Sequence, residues 1–258
     1  MGSAAMQGEL WGAAARDWAE LQEPFSKPLW EAMLEAVGVS SNTRFLDAGC
    51  GAGGASVLAA QRGSQVSGLD ASGELISLAV ERIPEGDFRV GELEVLPYED
   101  DTFEAIIAAN SVQYAEDPVA ALAEIRRVCE PIGRVAVATW GAPEDCEVGP
   151  VFKAVVEALP SPPPGEGPFA LSAPGALESL VERAGLTVTD SGEADCPMEY
   201  PEPGISWRAF RSAGPLQGAI RAAGEEKIKT AFLKALEPNT NEGHVRLENR
   251  FRYVIASP

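Results

Sequence analysis

Apolar residues in this chain fall into two kinds of pattern, short bulky runs that stop at turn residues and longer stripes at helical spacing. Phe45 and Leu46 end one short run, and Gln65–Asp70 (QVSGLD), Asp87–Glu92 (DFRVGE), Asp101–Asn110 (DTFEAIIAAN) and Arg134–Trp140 (RVAVATW) follow it. Each reads as a strand, and Asp101–Asn110 is a continuous apolar one, as in a parallel sheet covered on both faces. The intervals Ala55–Gln61, Ser72–Arg82 and Asp117–Cys129 carry helical stripes. The last of these opens with Asp117 as cap and Pro118 at the first helical position. Strands alternating with helices over residues 44–140 predict an α/β domain built on a mostly parallel sheet.

The flanks follow different patterns. Residues 8–38 read as two helices separated by Pro24 and Pro28. Trp11 and Trp18, seven apart, share one helical face, while Trp30, Met33, Leu34 and Val37 form a second stripe. Beyond Trp140, a helix is expected over Val148–Leu159, a stiff exposed connection over Pro160–Pro168 (PSPPPGEGP), and a helix over Ala173–Ala184 stopped by Gly185. A strand follows at Leu186–Thr189, extending toward Ala194. Residues 204–237 break the alternation, because Trp207 with Phe210, Leu216 with Ile220, and Ile228 with Phe232 and Leu236 all sit at helical spacing. The β-branched and aromatic stretch Val245–Ala256 (VRLENRFRYVIA) reads as a last strand.

At 258 residues the chain suits a single domain, residues 1–258, large enough to bury most of its apolar surface. Twenty basic against 39 acidic residues give a net charge of −19, which argues against phosphate backbones and anionic membrane surfaces as partners. A small-molecule partner is expected, with no nucleic acid and no membrane. Cys50, Cys129, Cys146 and Cys196 have no C-x-x-C spacing and no neighbouring histidine cluster, so no metal site is expected. No basic segment leads into an apolar run near residue 1 and no run is long enough to span a bilayer, so a cytoplasmic location is expected.

The chemistry concentrates in Arg44–Gly54, RFLDAGCGAGG. A strand ends in Asp47. Gly49, Gly51, Gly53 and Gly54 then form a turn that lets backbone approach a ligand, and a helix begins with its amides facing back. The spacing satisfies the dinucleotide fingerprint G-x-G-x-x-G, and Asp70 stands 17 residues after Gly53, where a carboxylate accepts ribose hydroxyls. Asp70 also suits capping of the helix that follows. Asp47, two residues before the first glycine, would repel a pyrophosphate and suits a cationic cofactor without phosphates.

RFLDAGCGAGG resembles the first motif of class I methyltransferases that use S-adenosyl-L-methionine (SAM). Gly91–Tyr98 (GELEVLPY) is similar to that family's G-D-A-x-x-L-P-F block, with Glu92 in place of Asp, and Asp101–Ile107 to its D-x-x-F-D-x-V strand, with Glu104 in place of Asp. Ile132 departs from the Pro-Gly-Gly usual before the next strand. The resemblance covers about Arg44–Trp140. Its nearest branch, type 11, includes quinone-biosynthesis C-methyltransferases and bacterial natural-product methyltransferases.

The resemblance implies a Rossmann-like α/β fold: a seven-stranded, mostly parallel sheet with flanking helices, its last strand antiparallel, and residues 204–237 as a helical lid between the last two strands. Residues 8–38 would be amino-terminal helices and 44–140 the SAM-binding core. It implies SAM contacts from Asp47, Gly49, Cys50, Gly51, Asp70 and Ala71, with Glu92 and Leu93 at the adenine and Asn110 and Ser111 at the methionine end. An acceptor pocket would draw on Trp11, Trp18, Gln113, Tyr114, Trp207 and Phe210. His244, the only histidine, and Tyr114 are the candidate bases for an oxygen acceptor. The Asn-Pro-Pro-Tyr signature of nucleic-acid amino-methyltransferases does not occur at Asn110. Two alternatives stay open: an NAD-linked oxidoreductase, and a SAM-binding protein without catalysis.

Overall fold

The computed structural model describes residues 3–161 and 167–258. Its main sheet has seven strands in the order β3-β2-β1-β4-β5-β10-β6. These are β1 (Arg44–Ala48), β2 (Gln65–Asp70), β3 (Asp87–Val90), β4 (Phe103–Ala109), β5 (Cys129–Trp140), β6 (Thr187–Asp195) and β10 (Arg250–Ser257). β10 runs antiparallel between β5 and β6, and the pairs from β3 across to β5 are parallel. A second sheet joins β7 (Met198–Tyr200), β8 (Thr240–Asn241) and β9 (His244–Leu247) in the order β7-β9-β8.

Period-two alternation along the central strands sends neighbouring residues to opposite layers. Phe45, Ile107 and Ala136 pack with the helices Lys27–Ala36, Gly54–Gln61 and Val148–Glu157 on one face. Leu46, Ile106 and Val137 pack with Pro118–Val128 and Ala176–Arg183 on the other. Burying both faces is what makes β4 read as one apolar run. Asp117 caps its helix as expected, its Oδ1 accepting from the amides of Val119 at 3.0 Å and Ala120 at 3.1 Å.

The amino-terminal segment departs from two plain helices. Helix Ala4–Gly12 is followed by a short turn at Ala15–Asp17, a π-turn at Trp18–Gln22, a 3-10 turn at Glu23–Ser26 and helix Lys27–Ala36. Trp11 and Trp18 therefore do not share one helix, yet their rings still meet edge to face at 4.8 Å. Gly8 explains how closely the first helix docks. A Cβ there would lie 2.4 Å from the Ala71 carbonyl oxygen.

Three helices, Pro203–Arg211, Gly214–Ala223 and Glu225–Leu236, fall between β6 and β10. The expected single strand Val245–Ala256 is instead two strands in different sheets. Asn249, 2% exposed, makes the break: its Oδ1 accepts from the Val148 amide at 3.1 Å, and its carbonyl accepts from the Cys196 amide at 2.8 Å. Of the expected exposed connection at Pro160–Pro168, residues 162–166 lie outside the described residues. Among the described residues no helix is long and apolar enough to cross a membrane.

Candidate functional site

After β1 the chain turns sharply. Gly49, Gly51 and Gly53 take φ of +83°, +56° and +82°, where a side chain is strained. The amides of Gly49 and Cys50 both donate to the Leu69 carbonyl, at 2.8 and 3.0 Å, which pins the turn to the end of β2. Asp70 reaches back, its Oδ2 accepting from the Gly51 amide and its Oδ1 from the Ser72 amide, each at 2.9 Å. Ser72, rather than Asp70, caps helix Gly73–Arg82 through the Leu75 amide at 3.2 Å. On the other side, a Cβ on Gly49 would lie 2.3 Å from the Ser111 Cβ, and the Ser111 hydroxyl donates to the Ala48 carbonyl at 2.7 Å. The chain leaves β1 for β2 on one side and later returns to β4 on the other, so this turn sits where the strand order reverses.

A cavity of about 140 Å³ opens above that reversal point. Asp47, Gly49, Cys50 and Gly51 line it from the turn, Asp70 and Ala71 from the end of β2, Glu92 and Leu93 from the loop after β3, and Asn110 and Ser111 from the end of β4. Trp11, Trp18 and Tyr114 form one wall, with Trp11 edge to face against both Trp18 and Tyr114. Gln113 stands just outside the lining, its Nε2 donating to the Asn110 Oδ1 at 2.5 Å. Asn110 is itself held at φ +57°, a conformation uncommon for a residue other than glycine.

Three expected residues lie elsewhere. Trp207 and Phe210 are 4% and 2% exposed, packed against Phe232 inside the helical insertion, which contributes no residue to the cavity lining. Their helical spacing marks core packing. His244 is exposed at the start of β9, in the second sheet, and is not among the cavity-lining residues. The roof over the cavity comes from the amino-terminal segment.

Acidic groups dominate the electrostatics. Asp47, Glu23, Asp70, Glu92 and Glu94 line the cavity, and among the described residues its lining holds no lysine, arginine or histidine. Asp47 is 2% exposed and accepts from the Ser56 hydroxyl at 2.8 Å. Burial, reinforced by the nearby Glu23 and Asp70 charges, pushes its carboxyl up to about 7. Burial also raises the carboxyls of Glu23 and Asp70. The Cys50 thiol is driven well above its ordinary value by the same burial, so it stays protonated and unreactive at neutral pH. Tyr114 is pushed up to about 12 by burial, so its phenol keeps its proton at neutral pH and is poorly suited as a base. This lining fits a cationic ligand without phosphates, and a pyrophosphate would meet five carboxylates.

Sequence reasoning missed Glu23. This carboxylate, 3% exposed, accepts from the Ala52 amide at 2.8 Å and pairs with Arg82 at 2.6 Å. Arg82 also donates to the carbonyls of Ala52 and Ala19, at 2.8 and 2.9 Å. A lone glutamate before Pro24 carries no periodic signal, and its partners lie 29 and 59 residues away. Another unforeseen feature is the Trp18 indole Nε1, buried against the cavity with no hydrogen-bond partner among the described residues. An unsatisfied buried donor costs about 1–3 kcal/mol, an expense that a ligand acceptor would remove.

Residues 46–137 match the family described as "Methyltransferase domain". An uncharacterized protein of Mycobacterium tuberculosis is 32% identical over 141 residues, covering 53% of this chain and 51% of the relative. A demethylmenaquinone methyltransferase of Renibacterium salmoninarum is 33% identical over 111 residues, covering 43% of this chain and 47% of the relative. The chain thus spans about half the length of the curated relatives it matches. Among solved structures, the YcgJ protein from Bacillus subtilis superposes with a TM-score of 0.60 at 20% identity, covering 88% of this chain and 97% of the other. The cyclase SpnF superposes with a TM-score of 0.58 at 19% identity, covering 89% and 80%. At those identities the likeness shows the fold alone, and a cyclase on the same fold leaves the reaction to be argued from the site. The matched segment holds the strand, the glycine turn and the helix after it, so the likeness to a methyltransferase domain falls on the elements that build the cavity.

Proposed function

We propose that this chain is a class I SAM-dependent methyltransferase, which moves the methyl group of SAM to an uncharged or cationic small molecule. One observation carries the reading: five carboxylates line the cavity and no basic side chain does among the described residues. SAM is a cation at its sulfonium and at its α-ammonium, and it has no phosphate. The same lining opposes NAD, whose pyrophosphate would lie on the glycine turn beside Asp47. An anionic acceptor is disfavoured for the same reason, and the net charge of −19 extends that bias to nucleic acids. The likeness to a demethylmenaquinone methyltransferase supports a small-molecule acceptor.

Bound SAM supplies a methyl group already activated toward in-line displacement. The work left to the protein is to orient the acceptor and keep water out. Asp47, Asp70, Glu92 and Asn110 would hold the cofactor across its length, each from the carboxyl end of a different strand or the loop after it. Trp11, Trp18 and Tyr114 would cover the transfer site with aromatic surface. With Tyr114 pushed up to about 12 and His244 outside the cavity, neither is placed to serve as a neutral-pH base. Positioning of an acceptor that is already nucleophilic, or that loses its proton to solvent, is the reading that fits.

Calorimetric titration of the purified chain with SAM and with NADH tests this. Micromolar binding of SAM with no NADH binding supports the reading, and product mass then screens neutral, cationic and anionic acceptors. NADH binding without SAM binding would overturn it. Methylation confined to anionic acceptors would overturn the acceptor class.

A further inference from the structure

We propose that the Trp18 indole N–H holds the α-carboxylate at the methionine end of SAM, which makes Trp18 a positioning residue of the cofactor site. This deepens the methyltransferase reading and rests on it. The amino-acid end of SAM carries an ammonium and a carboxylate. Asp47 and Glu23 offer the ammonium two carboxylates, whereas the ligand carboxylate meets no cationic side chain in the lining among the described residues. It needs neutral donors.

Most donors around the glycine turn are already committed. The Gly51 amide donates to Asp70, the Ala52 amide to Glu23, the Ser111 hydroxyl to the Ala48 carbonyl, and the Trp11 indole to the Gln7 Oε1. The Trp18 Nε1 is the buried donor left over, and it lies 3.4 Å from where a Gly51 Cβ would stand. It therefore faces the middle of the turn at close range. Trp18 touches Trp11, and Trp11 touches Tyr114, four residues after Asn110. Trp18 also packs with Ala52 and Leu75, and the Glu23 Oε1 lies 2.9 Å from the same Gly51 point, so a donor for the carboxylate and an acceptor for the ammonium stand side by side.

The donor is also held in place before any ligand arrives. Trp18 opens the π-turn Trp18–Gln22, a widened turn of the kind that recurs at functional positions. Its neighbour Ala19 accepts from Arg82 at 2.9 Å, Asp17 pairs with Arg208 at 2.6 Å, and Gln22 accepts from the Tyr200 hydroxyl at 2.7 Å. A donor fixed on three sides loses little freedom on binding, which favours affinity and alignment.

The test compares SAM with decarboxylated SAM, which keeps both cationic centres and lacks only the carboxylate, by titration calorimetry on the full chain. The wild type is expected to bind SAM about tenfold more tightly. Trp18→Phe keeps an aromatic ring and removes the N–H, so it is expected to lose about tenfold for SAM and little for decarboxylated SAM. Equal losses for both ligands, or unchanged SAM binding, would overturn the proposal. Should Trp18→Phe not fold, the wild type still decides it by proton NMR. One of the five tryptophan indole N–H resonances must shift on adding SAM and not on adding decarboxylated SAM, and its absence overturns the proposal. Binding of NADH in place of SAM would instead remove the cofactor reading beneath it.

Discussion

The Glu23 carboxylate meets the Arg82 guanidinium at 2.6 Å beside the cavity, joining the amino-terminal roof to the end of helix Gly73–Arg82. Glu23 is 3% exposed while the Arg82 side chain is 30% exposed, so the pair is buried on its acidic side only. Arg82 adds the carbonyls of Ala19 and Ala52 to the same cluster, and Glu23 adds the Ala52 amide. Roof, glycine turn and helix are thereby one hydrogen-bonded unit.

Arg82→Met should leave Glu23 buried without its cation. We expect a loss of about 2–3 kcal/mol in denaturant unfolding, below the full cost of breaking a buried pair because Arg82 is partly exposed. SAM binding should weaken with it, and proteolysis should reach residues 1–26 faster. Adding Glu23→Gln should return part of the stability. A double variant no more stable than Arg82→Met would show that the unpaired carboxylate is not what costs.

Asp47 makes both stability and binding depend on pH. The folded chain keeps a proton on Asp47 up to about 7, which the unfolded chain releases near the ordinary carboxylate value. The contribution of this group to stability is therefore greatest in acid and is lost as pH rises through about 7. The charges facing it are those of Glu23 and Asp70, and its one side-chain hydrogen bond is from Ser56. Asp47→Asn should raise the melting temperature above pH 7 while weakening SAM binding about tenfold. In the wild type, SAM affinity should rise from pH 5.5 to 7 and then level off, with proton uptake by buffer visible in calorimetry. A flat affinity profile across that range would rule out Asp47 as the titrating partner.

Gly49→Ala meets two obstacles, the φ of +83° and the Ser111 Cβ at 2.3 Å from the added methyl. The backbone cost alone is about 1–2 kcal/mol, and overpacking adds about 1–3 kcal/mol. Ser111→Gly clears the second obstacle and not the first. The double variant should recover part of the melting temperature lost by Gly49→Ala. No recovery would mean that the contact with Ser111 is not what forbids a side chain.

His244 and Trp207 should separate site from scaffold. His244→Ala is expected to leave kcat/KM within about twofold, because the residue is exposed on β9 and outside the cavity lining. Trp207→Ala should cost about 3–5 kcal/mol of stability, as expected for a large buried aromatic, and alter SAM binding only through that loss. A hundredfold drop in turnover for His244→Ala with normal folding would return it to the site.

Local pattern along the chain was enough for the elements of the core and the residues of the glycine turn. Phe45–Leu46, Gln65–Asp70 and Phe103–Ala109 are strands because each is short, bulky and closed by turn residues, and Asp117 caps its helix through its own neighbours. Asp47, Gly49, Gly51 and Asp70 stand out because a strand end beside glycine is a local pattern. Tertiary structure decided what closes the cavity. Trp207 and Phe210 carry the same helical spacing whether they face a core or a ligand, and only the packing against Phe232 distinguishes the two. The break at Asn249 depends on a bond to the Val148 amide 101 residues away, which no pattern within VRLENRFRYVIA encodes. Glu23, Arg82 and the unpaired Trp18 indole become a unit only when the amino-terminal segment docks on the turn. Periodicity reports which face of an element is buried, and contacts across long separations decide against what.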